Sequence, residues 1–230
     1  MSMYRPKKLK KWPPITLCLA LTLSQCAMDA ARGNQTEAHK PWIVAARLIR
    51  NGGQSASGIY VNPGLVITAA HLTAGWTDST EIIVHIAGVA FPASLVRQGD
   101  FNDVDIALFS VDQKKLPENI TRIQTSVCQA PLSPGDPVIV VDHAAATQSH
   151  IISPQIVSAP LQGKYQTLIG DVATTGNSGS GVFDPNRKCL LGIMSAKLTT
   201  GGKDIAKYFV PASKIRDFIP LELRGQVLMK

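Results

Sequence analysis

The sequence predicts an all-β protein built from many short strands in a sandwich or barrel, with one short helix at the C-terminal end. Three observations carry that expectation. From Trp42 onward, short β-type runs alternate with turn signals such as Asn51-Gly52-Gly53 and Asn62-Pro63-Gly64. Glycine and proline are frequent, at 18 and 15 of 230 residues, while aromatics make up only 6%, a balance that favours short strands over long helices. No heptads, no low-complexity tract and no exact internal repeat interrupt the pattern.

In order, the strand candidates are 43–49, 57–61, 65–68, 81–86, 90–96 and 106–111. Residues 112–126 are polar and read as a connector between two halves. The second half offers 137–142, 148–157, 167–172, 181–183, 190–197 and 206–210. Residues 213–219 form the expected helix, with Ser213 as N-cap and Pro220 as terminator.

The net charge of +7 is misleading, because residues 1–26 hold Arg5, Lys7, Lys8, Lys10 and Lys11 and no acid, leaving +2 for the rest. A remainder so near neutral gives no electrostatic reason to expect nucleic acid as a partner. The basic cluster leads into an apolar run, Ile15 to Leu23. Such a pair describes a secretory signal, and the run is short of the roughly 20 apolar residues a spanning helix needs. We therefore expect a signal peptide over 1–26, a polar lead-in over 27–40, and an exported protein, periplasmic or secreted. Leu23-Ser24-Gln25-Cys26 also resembles a lipoprotein box, so membrane attachment is expected only through lipidation at Cys26. Cys128 and Cys189 are the cysteines left after export, either a disulfide or two buried thiols. They lack close-spaced partners and the histidines are scattered, so no metal site and no cofactor is expected.

Three segments carry chemistry. Thr175-Gly176-Asn177-Ser178-Gly179-Ser180-Gly181 sets a serine between glycines, as in a sharp turn whose N–H groups could face an oxyanion. Taken alone it also fits a flexible Gly/Ser loop. Val66-Ile67-Thr68-Ala69-Ala70-His71 ends an apolar run in two small residues and a histidine, and His39, His85, His143 and His150, read as structural or solvated, have no comparable setting. Asp105 opens the apolar run Ile106-Ala107-Leu108-Phe109, where a carboxylate is desolvated and needs a partner; Asp100 and Asp103 compete less well.

Together these fall in the order His, Asp, Ser. The segments resemble the signatures of chymotrypsin-like (trypsin-fold) serine peptidases, over roughly residues 41–219, and 174–180 looks most like the bacterial glutamyl-endopeptidase branch. The resemblance implies two six-stranded antiparallel β-barrels, over 41–115 and 127–219 of a domain spanning 41–230, with the active site in the cleft between them. It implies His71, Asp105 and Ser178 as catalytic triad and the N–H groups of Gly176 and Ser178 as oxyanion hole. The activity implied is endopeptidase hydrolysis through an acyl-enzyme, acting on protein or peptide substrates as a monomer. A catalytically silent peptidase-like binding module is the alternative.

The same resemblance implies a specificity pocket built by Val172, Ser195 and Lys197. An uncharged Val172 at its base argues against an arginine or lysine preference, although Asp171 is adjacent. Glutamyl endopeptidases place a histidine where Met194 stands, so no glutamate preference is carried over; Lys197 would attract acidic groups only if it faced inward. Asn177 replaces the aspartate that pairs with a new N-terminus in most animal members, which argues against activation of that kind.

Overall fold

The computed structural model describes residues 44–50, 53–61, 64–77, 79–122, 125–156, 165–170 and 177–228. The expected signal segment, the lead-in, Cys26, Val172 and Gly176 lie outside the described residues.

Twelve strands close into two antiparallel barrels. The first contains β1 (Ala45–Arg50), β2 (Ser55–Val61), β3 (Leu65–Thr68), β4 (Ile82–Ile86), β5 (Val89–Gln98) and β6 (Ala107–Val111), arranged β1-β2-β3-β6-β5-β4. The second contains β7 (Pro137–Val141), β8 (Ala146–Ile152), β9 (Leu168–Ile169), β10 (Gly181–Phe183), β11 (Leu190–Thr200) and β12 (Lys203–Pro211). Read from its first strand, its order is β7-β8-β9-β12-β11-β10, the same path as the first barrel. Closure removes every free sheet edge within each barrel.

Side-chain pattern explains which strands face what. β4 (IIVHI) alternates fully buried with half-buried residues, as a strand with one solvated face must. β3 (LVIT) is buried throughout, and β2 is buried from Ala56 onward, because their outer faces are covered as well. Part of that cover is the second barrel: a Cβ on Gly181 of β10 would meet Ile59 of β2 at 2.6 Å. Leu48, Ile59, Tyr60, Ile67 and Phe109 are wholly buried, each aliphatic one contributing about 1.5–3 kcal/mol of burial.

β11 and β12 are longer than their apolar stretches, since Thr199, Thr200, Lys203 and Asp204 extend the hairpin into solvent. They turn through Gly201-Gly202, whose φ values of 55° and 77° suit a tight two-residue hairpin loop.

The connector holds a short helix, α1 (Glu118–Thr121), and leads to Val127, which bridges Leu190 in parallel. Cys128 and Cys189 are joined as a disulfide with Cα atoms 5.1 Å apart, closing a loop of sequence separation 61.

The C-terminal helix differs from expectation. α2 spans Ala212–Phe218 with Pro211 as N-cap and no side-chain cap, so Ser213 lies inside the first turn. β12 runs straight into the helix, and the fixed φ of Pro211 ends the ladder and sets the first turn at once. Pro220 ends the helix, and a further helix, α3 (Leu221–Leu228), which the sequence reading did not expect, comes after it. α2 buries Ala212, Ile215 and Phe218. Arg97 of β5 donates to the Phe218 carbonyl at 2.7 Å and lies 4.3 Å over its ring, fastening the first barrel to the segment after the second.

Candidate active site

β3 delivers His71. Its last residue, Thr68, donates to the Ser57 carbonyl at 2.5 Å, and the chain then enters a tight turn over Ala70–Thr73. Ala69 and Ala70 are buried and small, leaving the imidazole room at the barrel end. Thr73 Oγ1 donates to the carbonyl of Ala70 at 3.2 Å and Gln98 Nε2 donates to the same carbonyl at 3.0 Å, which fixes the turn. Phe101 packs edge-on against the imidazole, 5.5 Å between centroids.

Asp105 sits two residues before β6 and is 0% exposed. Its Oδ1 accepts from the His71 backbone N–H at 2.9 Å, and its Oδ2 lies 2.8 Å from His71 Nδ1 and 2.5 Å from Ser195 Oγ. Burial alone would raise this carboxyl, but hydrogen bonds from the His71 ring, Ser195 and the His71 backbone hold it below the usual carboxylate range. An ionised carboxylate only accepts, so Nδ1 carries a ring proton toward Asp105 and Nε2 is the ring nitrogen left for another partner. Tyr165 OH accepts from the Asp105 N–H and donates to the Asp103 carbonyl, both at 3.1 Å. Asp103 therefore supports the site through its backbone while Asp105 holds the histidine.

Ser178 stands at the start of a turn that glycine makes possible. Gly179 has φ 84°, and a Cβ there would lie 2.0 Å from the Ser57 carbonyl of the other barrel. The turn is pinned by Gly179 N donating to Met194 O at 2.8 Å and Ser180 N donating to Asn177 O at 3.0 Å. Ser178 Oγ donates to the Ser195 carbonyl at 2.8 Å; no hydrogen bond among the described residues joins it to His71.

Ser195 is the residue between them. The β11–β12 register slips between Met194 and Ala196, and this bulge takes Ser195 out of the ladder. Its hydroxyl is thereby free to meet Asp105 and its carbonyl to meet Ser178. The fold brings His71, Asp105, Ser178 and Ser195 into one hydrogen-bonded cluster, which sequence order alone does not reveal.

A cavity of about 330 Å³ opens beside Ser178, walled by Asn177, Met194, Ser195, Lys197 and Lys207 and, from the first barrel, by Ser55–Ser57 and Leu72. Lys197 does not face inward as a free cation: its side chain is 59% exposed and pairs with Asp204 at 2.7 Å. Two titratable lining residues escaped the sequence reading. Lys207 is only 7% exposed in the wall. His143, read as structural or solvated, joins the lining and lies 2.9 Å from Ser57 Oγ through Nδ1.

Two closed six-stranded antiparallel barrels, with a buried aspartate holding a part-exposed histidine beside a serine turn, define the chymotrypsin fold of serine proteases. Residues 56–193 match the model of the trypsin-like peptidase domain, and the chain belongs to that family. Solved structures agree at the level of fold. Kallikrein-related peptidase 10 superposes with a TM-score of 0.62 at 18% identity, covering 81% of this chain and 97% of that one. An inactive mutant form of Rv3671c from M. tuberculosis gives 0.58 at 18%, covering 80% and 87%. The MamO protease domain from Magnetospirillum magneticum gives 0.54 at 21%, covering 80% and 99%. A search of curated proteins by sequence returned no match.

Proposed function

We propose that this chain is an exported serine endopeptidase that cleaves protein or peptide substrates through an acyl-enzyme, with His71, Asp105 and Ser178 as its triad. The observation that supports this most is the buried Asp105 carboxylate, held on both the His71 backbone N–H and His71 Nδ1, which orients the imidazole as a triad aspartate does. In this reading Ser178 Oγ attacks the scissile carbonyl while His71 Nε2 takes its proton and later returns it to the leaving amine. Asp105 keeps the ring in the tautomer that leaves Nε2 basic and stabilises the imidazolium. The N–H groups of Gly176 and Ser178 receive the oxyanion, each worth about 3 kcal/mol in the transition state. Val172, Ser195 and Lys197 border the primary pocket, and the chain acts as a monomer. Export rests on the basic lead and apolar run of residues 1–26. The kinship of residues 174–180 with the glutamyl-endopeptidase branch remains a likeness of sequence.

The engagement of the Ser178 hydroxyl by Ser195 favours a second reading, a silent peptidase-like binding module. Labelling the purified mature chain with a fluorophosphonate, mapped by mass spectrometry against Ser178→Ala, separates the two. Stoichiometric label on Ser178 is expected, as is a loss of roughly a millionfold in turnover for Ser178→Ala. A folded, monodisperse chain that takes no label would reject the peptidase reading in favour of the module.

A further inference from the structure

The two barrels divide the proposed triad between them, with His71 and Asp105 on the first and Ser178 on the second. Its geometry therefore depends on how the Asp105 turn is seated against the second barrel. Ser195 grips that turn at the carboxylate. A second grip falls on the backbone. Tyr165, in the segment leading into β9, is 5% exposed, and its hydroxyl accepts from the Asp105 N–H while donating to the Asp103 carbonyl, both at 3.1 Å.

Between β5 and β6 the chain otherwise closes on itself. Gly99 N donates to Ile106 O at 2.9 Å, Asp103 N to Asp100 O at 3.0 Å and Ile106 N to Val104 O at 2.8 Å. None of these bonds uses the Asp105 N–H or the Asp103 carbonyl, and Asp105 is wholly buried. A buried N–H without a partner is costly, so its acceptor has to come from outside the turn. A hydroxyl has one proton to give and lone pairs to accept with, and the phenol meets both groups at once. Burial raises the phenol above its ordinary value and the Asp105 N–H offsets this only in part, so the donated proton stays in place.

Tyr165 is itself firmly set. Its ring lies 6.1 Å from that of Tyr208 on β12. Two residues on, the Thr167 carbonyl accepts from Phe209 N at 3.1 Å and the Thr167 hydroxyl donates to the Phe209 carbonyl. β12 runs between β9 and β11, so Tyr165, leading into β9, and Ser195, on β11, reach Asp105 from either side of one strand.

We infer that Tyr165 is a positioning residue: its hydroxyl seats the Asp105 turn on the second barrel, and through Asp105 it fixes the His71 ring for proton transfer. The inference rests on the peptidase reading for its effect on turnover, while the hold on Asp105 and His71 stands without that reading.

Tyr165→Phe keeps the ring beside Tyr208 and deletes only the hydroxyl. In the full mature chain, the wild-type Asp105 amide should exchange with solvent at least about a hundredfold more slowly than an open amide. That protection should fall about tenfold or more in Tyr165→Phe, while the amides of β3 and β6 keep theirs. The proton on His71 Nδ1, bonded to Asp105, should give a separate low-field NMR signal that broadens or moves upfield in the variant. With Ser178 intact, kcat should fall about tenfold to a hundredfold with KM nearly unchanged, the scale on which a reacting group displaced by about 1 Å loses rate. The double Cys128→Ser, Cys189→Ser chain, weakened outside this network, should keep both the protection and the signal. A wild-type Asp105 amide that exchanges freely overturns the inference, and that measurement decides it should Tyr165→Phe fail to fold. A Tyr165→Phe chain with the wild-type low-field signal overturns it as well, even if kcat falls, because the hydroxyl then acts elsewhere. Unchanged kcat in a variant of an active chain rejects the role of Tyr165 and leaves the peptidase standing. Loss of protection and signal in a chain that cleaves no peptide does the reverse.

Discussion

Ser178 and Ser195 are joined by a 2.8 Å hydrogen bond from the hydroxyl of the first to the backbone carbonyl of the second. A hydroxyl has one proton to donate, so Ser178 cannot give it to His71 while Ser195 holds it. The carbonyl is available only because the bulge at Ser195 withdraws it from the β12 ladder. The same residue presents its own hydroxyl to Asp105 at 2.5 Å. Proton transfer in the proposed mechanism therefore begins with Ser178 leaving Ser195.

Ser195→Ala keeps that carbonyl and deletes the donor to Asp105. Removing one partner of a buried charged group costs about 1–3 kcal/mol, so urea unfolding at neutral pH should shift by that amount. kcat/KM should fall about tenfold as the carboxylate loses one of its restraints. A variant with unchanged stability and unchanged kcat/KM would mean the 2.5 Å contact carries no weight.

Acid should weaken the fold through Asp105. Its native carboxyl is held below the ordinary value of 3.8, so the protonated form is favoured in the unfolded chain. The resulting stabilisation is complete above the unfolded value and is lost as pH falls through the depressed native one. Asp184 behaves alike: burial would raise it, but Arg187 and the backbone N–H groups of Arg187 and Asn186 hold it down. Urea midpoints should thus decline below about pH 4, and Asp105→Asn should show a shallower decline with the Asp184 share remaining. An identical decline in wild type and Asp105→Asn would contradict the assignment.

Gly179→Ala should damage both barrels' junction and the site. Its Cβ would stand 2.0 Å from Ser57 O and 2.8 Å from Thr68 Oγ1, at φ 84°. Backbone atoms cannot yield as a flexible side chain does, and the strained φ alone costs about 1–3 kcal/mol. We expect a loss of about 2–4 kcal/mol on thermal or urea unfolding, with fluorophosphonate labelling of Ser178 abolished. Normal labelling in this variant would mean the turn tolerates displacement.

The Cys128–Cys189 bond should matter for stability and leave chemistry alone. It closes a separation of 61 residues, worth up to about 4 kcal/mol on the chain-entropy account. The double Cys→Ser variant should lose most of that while labelling at Ser178 proceeds at the wild-type rate under native conditions. Unaltered denaturant midpoints with and without reductant would argue against the estimate.

Much of the fold was legible because strand alternation and turn residues are local signals. The twelve strands lie where the apolar runs put them, but the one expected over 148–157 stops at Ile152, and Pro154–Ile156 forms a 3-10 turn. The ends failed where polar residues extend a hairpin, as at Thr199–Thr200, and where Pro211 rather than Ser213 starts a helix. His71 and Asp105 were legible from the apolar strands that precede and follow them. Lys207 was not, because a lysine at an alternate position of Ile205-Ala206-Lys207-Tyr208 reads as a solvated face. Only closure of the barrel turns that face toward a cavity shared with the other half of the chain. His143 was hidden for the same reason, since its partner Ser57 lies 86 residues away.

The Gly179 turn is wedged against the Ser57 carbonyl, with one half of the molecule bearing directly on the other. Such a joint acts as a gauge of how tightly the halves are seated. Mild heat or pressure that eases them apart would misalign Ser178 while both barrels kept their strands, so the chain would fall silent before it came undone.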